Sequence, residues 1–242
     1  MELVEANDLQ FYIRENSSDE GIIKDNIIRQ PVLKHLQILP NSKWIDCGGY
    51  IGTFSAVLCQ HDARVYAIEA DPSHVALYNI NMQLNNFQYS IICGAVVSGN
   101  FDRIQYLSIN DRGNNTYMNV AANSLVRKWK RERKQLPVAC VTYEELVASA
   151  MKTLGYDGSW NIKFDIEGAE IPILEFGDFR VFDQMYIEYH FETDRSIPRA
   201  KAVIERLQKQ GFIVKANHKL PDVDIWKWFP AVLVLWCINE SK

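Results

Sequence analysis

The sequence predicts an α/β fold: a mainly parallel, doubly wound sheet of about seven strands, finished by an antiparallel edge hairpin. Three observations predict it. From Asn41 onward, short apolar runs alternate with stretches of helical spacing. The first of these runs ends in a glycine-rich turn that opens a helix, a junction that turns main-chain N–H groups toward a ligand. The last two runs, 212–215 and 231–238, have only a loop between them, which suits antiparallel neighbours.

Composition bounds the reading. The 242 residues suffice for one large domain with a substantial core. We expect a single domain over 1–242, with a cap segment at 1–40, a core at 41–242 and an insertion at 98–141. A net charge of −4 argues against holding nucleic acid by bulk electrostatics. The five cysteines are scattered without a C-x-x-C pair, so they read as reduced core residues of a cytoplasmic protein. The five histidines lack ligand spacing, and no metal site is expected. The start carries no signal-peptide pattern. The longest apolar run, Phe229–Ile238, is too short for a membrane span and reads as a buried strand. Oligomeric state stays open.

In the cap segment, Leu9–Ile13 reads as a strand and Ser17–Glu20 as a turn or helix-cap signal. Ile22–Leu39 reads as one or two helices broken at Pro31, packed on the sheet edge over a pocket. Arg14, Asp19 and Asn26 are its candidate pocket residues, against the alternative of ordinary surface charges.

The core opens with strand 44–47 and D-C-G-G-Y-I-G, then helix 53–60. The order D-x-G-G-x-x-G is neither the dinucleotide fingerprint nor a P-loop. Gly48 permits an unusual backbone, and Gly52 lets the helix approach the strand. Asp46 at the strand end would repel a pyrophosphate but accept hydrogen bonds from an ammonium or hydroxyl. The pattern suits a cationic ligand with a ribose and no phosphates, and S-adenosylmethionine answers that description. Strand 64–68 ends at Glu69, an acid placed for ribose hydroxyls about 20 residues on. Asp71 caps helix 72–85, with Pro72 at its first position. Strand 89–93 leads to Gly94 and Ala95, where an adenine would lie against the sheet edge.

The rhythm breaks at 98–141. A strand is expected near 103–108 and another at 138–142, with helix 143–151 behind it. Between them lies the one strongly basic stretch, Arg127–Lys134, read as a helix: a solvated face, or a clamp for an anionic group. In W-N-I-K-F-D-I-E-G-A-E, Lys163, Asp165 and Glu167 alternate with apolar residues and would share one side of a strand. Charges there are costly unless they meet a ligand or each other. Asp165, Glu167 and Glu170 then line the same crevice as Asp46 and Glu69, the alternative being a structural lysine–carboxylate pair. Helix 169–176 follows. Strand 184–190 puts Glu188 and His190 at its carboxyl end, and helix 199–210 leads into the hairpin.

These residues resemble the FkbM-type methyltransferases. The resemblance is carried by D-C-G-G-Y-I-G-T-F-S, Y-A-I-E-A-D-P and above all I-K-F-D-I-E-G-A-E, and runs from about residue 19 to about residue 189. It implies a Rossmann-like class I enzyme that uses S-adenosyl-L-methionine, mostly for O-methylation of small molecules. It also implies a cofactor loop at Asp46, Gly48 and Gly52, a ribose acid at Glu69, and a signature at Lys163, Asp165, Glu167 and Glu170. Gly49-Tyr50 stands where the family usually has Ala-Asn, and Tyr50 would crowd the methionine end of the cofactor or stack over it.

Methyl transfer to a hydroxyl needs alignment and a proton acceptor. Asp165, Glu167 and His190 are the candidate catalytic groups, from their expected place beyond the strand ends. The expected substrate is a sugar or secondary-metabolite hydroxyl. The alternatives are N- or carboxyl-methylation, a nucleic-acid acceptor recruited by 127–134, a non-catalytic nucleotide-binding domain, and, more remotely, a dehydrogenase.

Overall fold

The computed structural model describes residues 1–99, 102–109, 134–191, 197–220 and 232–240. The chain begins with a hairpin of β1 (Glu2–Ala6) and β2 (Leu9–Ile13). Asn7 and Asp8 turn it with φ of 48° and 64°, the left-handed pair that tight hairpin turns use. β1 is a strand beyond the one expected at Leu9–Ile13, and the Asn-Asp pair is its turn signal. A short helix α1 (Asp19–Ile23) runs into a π-helical turn at Lys24–Arg29 and a 3-10 turn at Pro31–Lys34. The expected cap helices are thus broken, with Gln30 left-handed (φ 44°) just before Pro31.

The core elements follow in order: β3 (Lys43–Cys47), α2 (Thr53–Gln60), β4 (Arg64–Glu69), α3 (Pro72–Leu84), β5 (Tyr89–Cys93), β6 (Ala95–Val97), β7 (Ile104–Ile109), β8 (Lys134–Thr142), α4 (Tyr143–Leu154), β9 (Trp160–Phe164), α5 (Glu170–Phe176), β10 (Gln184–His190), α6 (Ile197–Lys209), β11 (Phe212–Ala216) and β12 (Val232–Asn239). Local chemistry sets several boundaries. Asp71 accepts a hydrogen bond from Ser73 N (2.8 Å) at the start of α3, and Thr142 with Glu145 forms a capping box on α4.

The main sheet has seven strands in the order β11-β12-β10-β9-β3-β4-β5. β10, β9, β3, β4 and β5 are parallel, whereas β12 runs antiparallel to both β10 and β11. This is the doubly wound sheet with an edge hairpin that the alternation predicts. Side chains of β3 alternate between two apolar cores: Ile45 and Cys47 join residues of α4, α5 and α6, while Trp44 joins α2, α3 and the N-terminal hairpin. The switch in strand order falls between β3 and β9, so a crevice opens beyond their carboxyl ends.

The insertion builds a separate three-stranded sheet, β6-β8-β7. Strand 138–142 extends back to Lys134 and pairs with β6 and β7, not with the main sheet. Lys134 therefore opens a strand, while residues 110–133, which carry the rest of the basic stretch, lie outside the described residues. Four cysteines are buried, but Cys93 at the end of β5 is exposed, unlike the core residue expected. Among the described residues no helix is long and apolar enough to cross a membrane.

Candidate active site

The loop after β3, the end of β4, the start of β6 and the ends of β9 and β10 enclose a cleft of about 1020 Å³, counted to its open mouth. Its floor is the glycine loop. Gly48 has φ of +88°, and a Cβ there would lie 1.9 Å from the Asp165 carbonyl oxygen, so glycine is required. Gly48 N and Gly49 N both donate to Ile68 O, which binds the loop to β4.

Two expected ligand contacts sit below this floor. Gly52 does not line the cleft; it packs against Tyr78 and Met82, where an added Cβ would come within 3.3–3.4 Å. Asp46 is fully buried and away from the cleft. Its carboxylate accepts from Ser55 Oγ (2.6 Å) and Lys163 Nζ (3.0 Å). Lys163 also donates to Gly48 O (2.7 Å). Asp46 thus supports the loop through Lys163, because its strand position faces α2. Burial pushes the Asp46 carboxyl up. Burial alone would lower Lys163, but Asp46 and Asp165 outweigh it and hold the ammonium charged.

Tyr50 does line the cleft, in a left-handed conformation (φ 49°). Its N–H donates to Glu69 Oε2 (2.9 Å), and its hydroxyl donates to Asp19 Oδ1. Asp19 in turn accepts from Arg14 Nε (2.9 Å) and Nη2 (2.8 Å), and the guanidinium lies 5.3 Å from the Tyr50 ring centre. The cap segment is therefore latched to the glycine loop. Arg14 and Asp19 make the latch, whereas Asn26 reaches the cleft and donates to Thr53 Oγ1 (2.9 Å).

Glu69 lines the cleft with both oxygens oriented: Oε2 by Tyr50 N, and Oε1 by Asp71 N (2.8 Å) with His74 Nδ1 at 3.4 Å. Burial works against its charge, but His74 and the two backbone N–H groups outweigh it and hold the carboxyl below its ordinary value. Ala95, with Ile68, Val96 and Leu107, forms an apolar slot beside it. His74 had no motif to announce it; it lies one helical turn past the Asp71 cap.

The opposite wall is acidic: Asp165, Glu167 and Glu188 line the cleft beside Lys163. β9 ends at Phe164, so Asp165 and Glu167 do not continue its alternation as expected. Asp165 N donates to Cys47 O (3.1 Å), and the chain turns through Glu167 (φ 55°) and Gly168 (φ 103°). Glu188, at the carboxyl end of β10, joins this wall. Burial and the Asp165 charge push it up to about 7, against His190 and Lys163.

His190 is 4% exposed and lies behind this wall. Its Nδ1 is 3.1 Å from Glu170 Oε1, and its Nε2 is 3.8 Å from both Asp165 Oδ1 and Glu167 Oε2. Burial alone would lower it, but Glu170, Glu167 and Asp165 push it up to about 10. His190 is not among the residues that line the cleft, so its place is behind the carboxylates and not at the cleft face. Glu170, fully buried, also accepts from Gly168 N (2.8 Å) and His190 N (2.7 Å), so it shapes the turn from behind.

The Methyltransferase FkbM domain model matches residues 46–214, more than half of the chain. The chain belongs to the FkbM methyltransferase family. It is therefore a methyltransferase, and its strand order is that of a Rossmann-like, doubly wound sheet. No curated protein matches the sequence significantly. Among solved structures, a precorrin-6y C5,15-methyltransferase of Geobacter metallireducens GS-15 is 13% identical over 88% of each chain, with a TM-score of 0.46. Aeropyrum pernix fibrillarin, solved with natively bound S-adenosyl-L-methionine, is 13% identical over 98% of this chain and 82% of its own, with a TM-score of 0.45. A putative transferase of Pyrococcus horikoshii is 15% identical over 98% and 70%, with a TM-score of 0.47. The family and the strand order, not these distant likenesses, carry the assignment.

The methyl donor of the family is S-adenosylmethionine, and the residues present fit it. The apolar slot at Ala95 suits a purine, and the oriented carboxylate of Glu69 suits a ribose diol.

Proposed function

We propose that this FkbM methyltransferase methylates a hydroxyl of a small molecule, a sugar or a secondary metabolite. The observation that carries the proposal is the polarity of the cleft, apolar at Ala95, singly charged at Glu69 and triply acidic at Asp165, Glu167 and Glu188. A phosphodiester backbone would be repelled by that last wall, whereas a neutral polyol would find acceptors for its hydroxyls.

The donor supplies an electrophilic methyl on a positive sulfur. The chain's residues do the rest. Ala95 and its neighbours hold the base, and Glu69 holds the ribose. Lys163 fixes the glycine loop through the Gly48 carbonyl, so the site is preorganised before ligands arrive. The acidic wall places the acceptor hydroxyl in line and receives its proton. Tyr50 closes the donor end under the cap segment.

The test is incubation with methyl-labelled S-adenosylmethionine and a panel of sugars, hydroxylated metabolites, amines, carboxylates and RNA. The expected product is an alkali-stable ether on a small molecule, lost in Asp165→Asn. Label found only in RNA, in an amine or in an alkali-labile ester would overturn it.

A further inference from the structure

Acidic side chains crowd the cleft end of β10. Asp165, Glu167 and Glu170 lie within 3.8 Å of His190, Asp165 also lies 3.5 Å from Lys163, and Glu188 stands beside them. Lys163 is already committed to Asp46 and to the Gly48 carbonyl.

His190 is placed there in a particular way. Glu170 takes its Nδ1 side at 3.1 Å and its backbone N–H at 2.7 Å, which fixes the ring. Nε2 then points between Asp165 and Glu167 at 3.8 Å from each, beyond hydrogen-bond reach. Asp165, Glu188 and His190 each present one donor atom, all within 4.8 Å of one another. Ligand bonds of about 2.1 Å hold three donors of one ion roughly 3 to 3.6 Å apart, so the set closes on one ion by a contraction of at most about 1–2 Å. A buried carboxylate on the far nitrogen of a metal-binding histidine is the usual second layer of such sites, because it orients the ring and leaves the other nitrogen for the ion.

We propose that Asp165, Glu188 and His190 bind a divalent cation at the acceptor end of the cleft, the Nε2 proton of His190 passing to water as the ion binds, with Glu170 as the positioning residue. One imidazole and two carboxylates suit manganese, iron or zinc better than an all-oxygen magnesium shell. Asp165 and Glu188 both line the cleft, so the remaining coordination positions face the acceptor. On the methyltransferase reading, from which this last role follows, the ion takes the acceptor's hydroxyl oxygen as a further ligand and lowers its pKa. The sequence spacing hid the site: its ligands come from two strand ends that the sheet brings together, not from one motif.

The test uses Mn²⁺ alone, titrated into the full chain and followed by the electron-paramagnetic-resonance signal of the free ion. One Mn²⁺ per chain is expected. Its affinity should fall by at least about tenfold in Asp165→Asn and in Glu188→Gln, and about as much in Glu170→Gln. Asp62→Asn, an exposed acid on a turn remote from the cleft, should leave it unchanged. No saturable binding by the wild-type chain, or equal binding in all the variants, would overturn the site. The carboxamide variants keep side-chain size, and circular dichroism confirms that each is folded. Because no methyl donor is present, the result stands whether or not the methyltransferase reading does.

Discussion

Lys163 and His190 are cations at the carboxyl ends of neighbouring strands, 3.5 and 3.8 Å from the same carboxylate of Asp165. Their surroundings differ. Lys163 meets one fully buried acid, Asp46, and donates to a backbone carbonyl, so its charge is closed off beneath the glycine loop. His190 meets one hydrogen-bonding acid, Glu170, and two others at 3.8 Å that face a cleft. The first pair builds the floor of the site. The second leaves charge over for what binds there. A charged residue beside a cleft is thus structural or functional according to whether its partners are used up within the protein.

That contrast can be broken most forcefully at Lys163. Lys163→Met strands the buried Asp46 carboxylate and should cost about 3–5 kcal/mol in urea unfolding. Adding Asp46→Asn should recover part of it; a single variant as stable as wild type would show that the pair supports nothing. On the other side, Asp165→Asn should cost turnover about 100-fold or more while donor affinity stays near wild type, since Asp165 is part-exposed at the acceptor wall. Single-turnover rates beside donor titrations separate the two effects. Equal losses in both would place Asp165 with the donor.

The smallest effect concerns the latch. Tyr50→Phe removes a donor to Asp19 but leaves Arg14 in place, for about 1 kcal/mol. Burial works against the Asp19 charge, but the Arg14 and Tyr50 hydrogen bonds outweigh it and hold its carboxyl below the ordinary value. A carboxylate lowered in this way stabilises the fold above its ordinary range, and the contribution is lost as pH falls through the folded value. Stability measured from about pH 5 down to about pH 2 should therefore fall by less in Tyr50→Phe than in wild type, and level off at higher pH. Superimposable acid profiles would mean that the tyrosine does not hold Asp19.

Much of this was legible in the sequence. The parallel core, the edge hairpin, the Asp71 cap and the places of Gly48, Glu69 and Ala95 follow from alternation, glycine turns and strand-end acids. What was missed depends on packing. Asp46 reads as a ligand-binding acid until the sheet shows it facing α2 and Ser55. Glu167 reads as a strand residue because alternation continues past Phe164, where the backbone has already turned. His190 reads as a strand-end group beside one acid, whereas the three carboxylates around it come from another segment. The strand at 138–142 was found, but its removal to a second sheet is a fact of pairing that no local pattern carries.

The central claim is that Glu69 and the glycine loop form a site for S-adenosylmethionine. Calorimetric titration of the wild-type chain and Glu69→Ala with that ligand, and separately with NAD, tests it most directly. Lost charged hydrogen bonds of roughly 1.5–3 kcal/mol predict saturable binding that the variant weakens about tenfold or more, with no binding of NAD. Unchanged affinity in Glu69→Ala, or binding of NAD instead, would contradict the account.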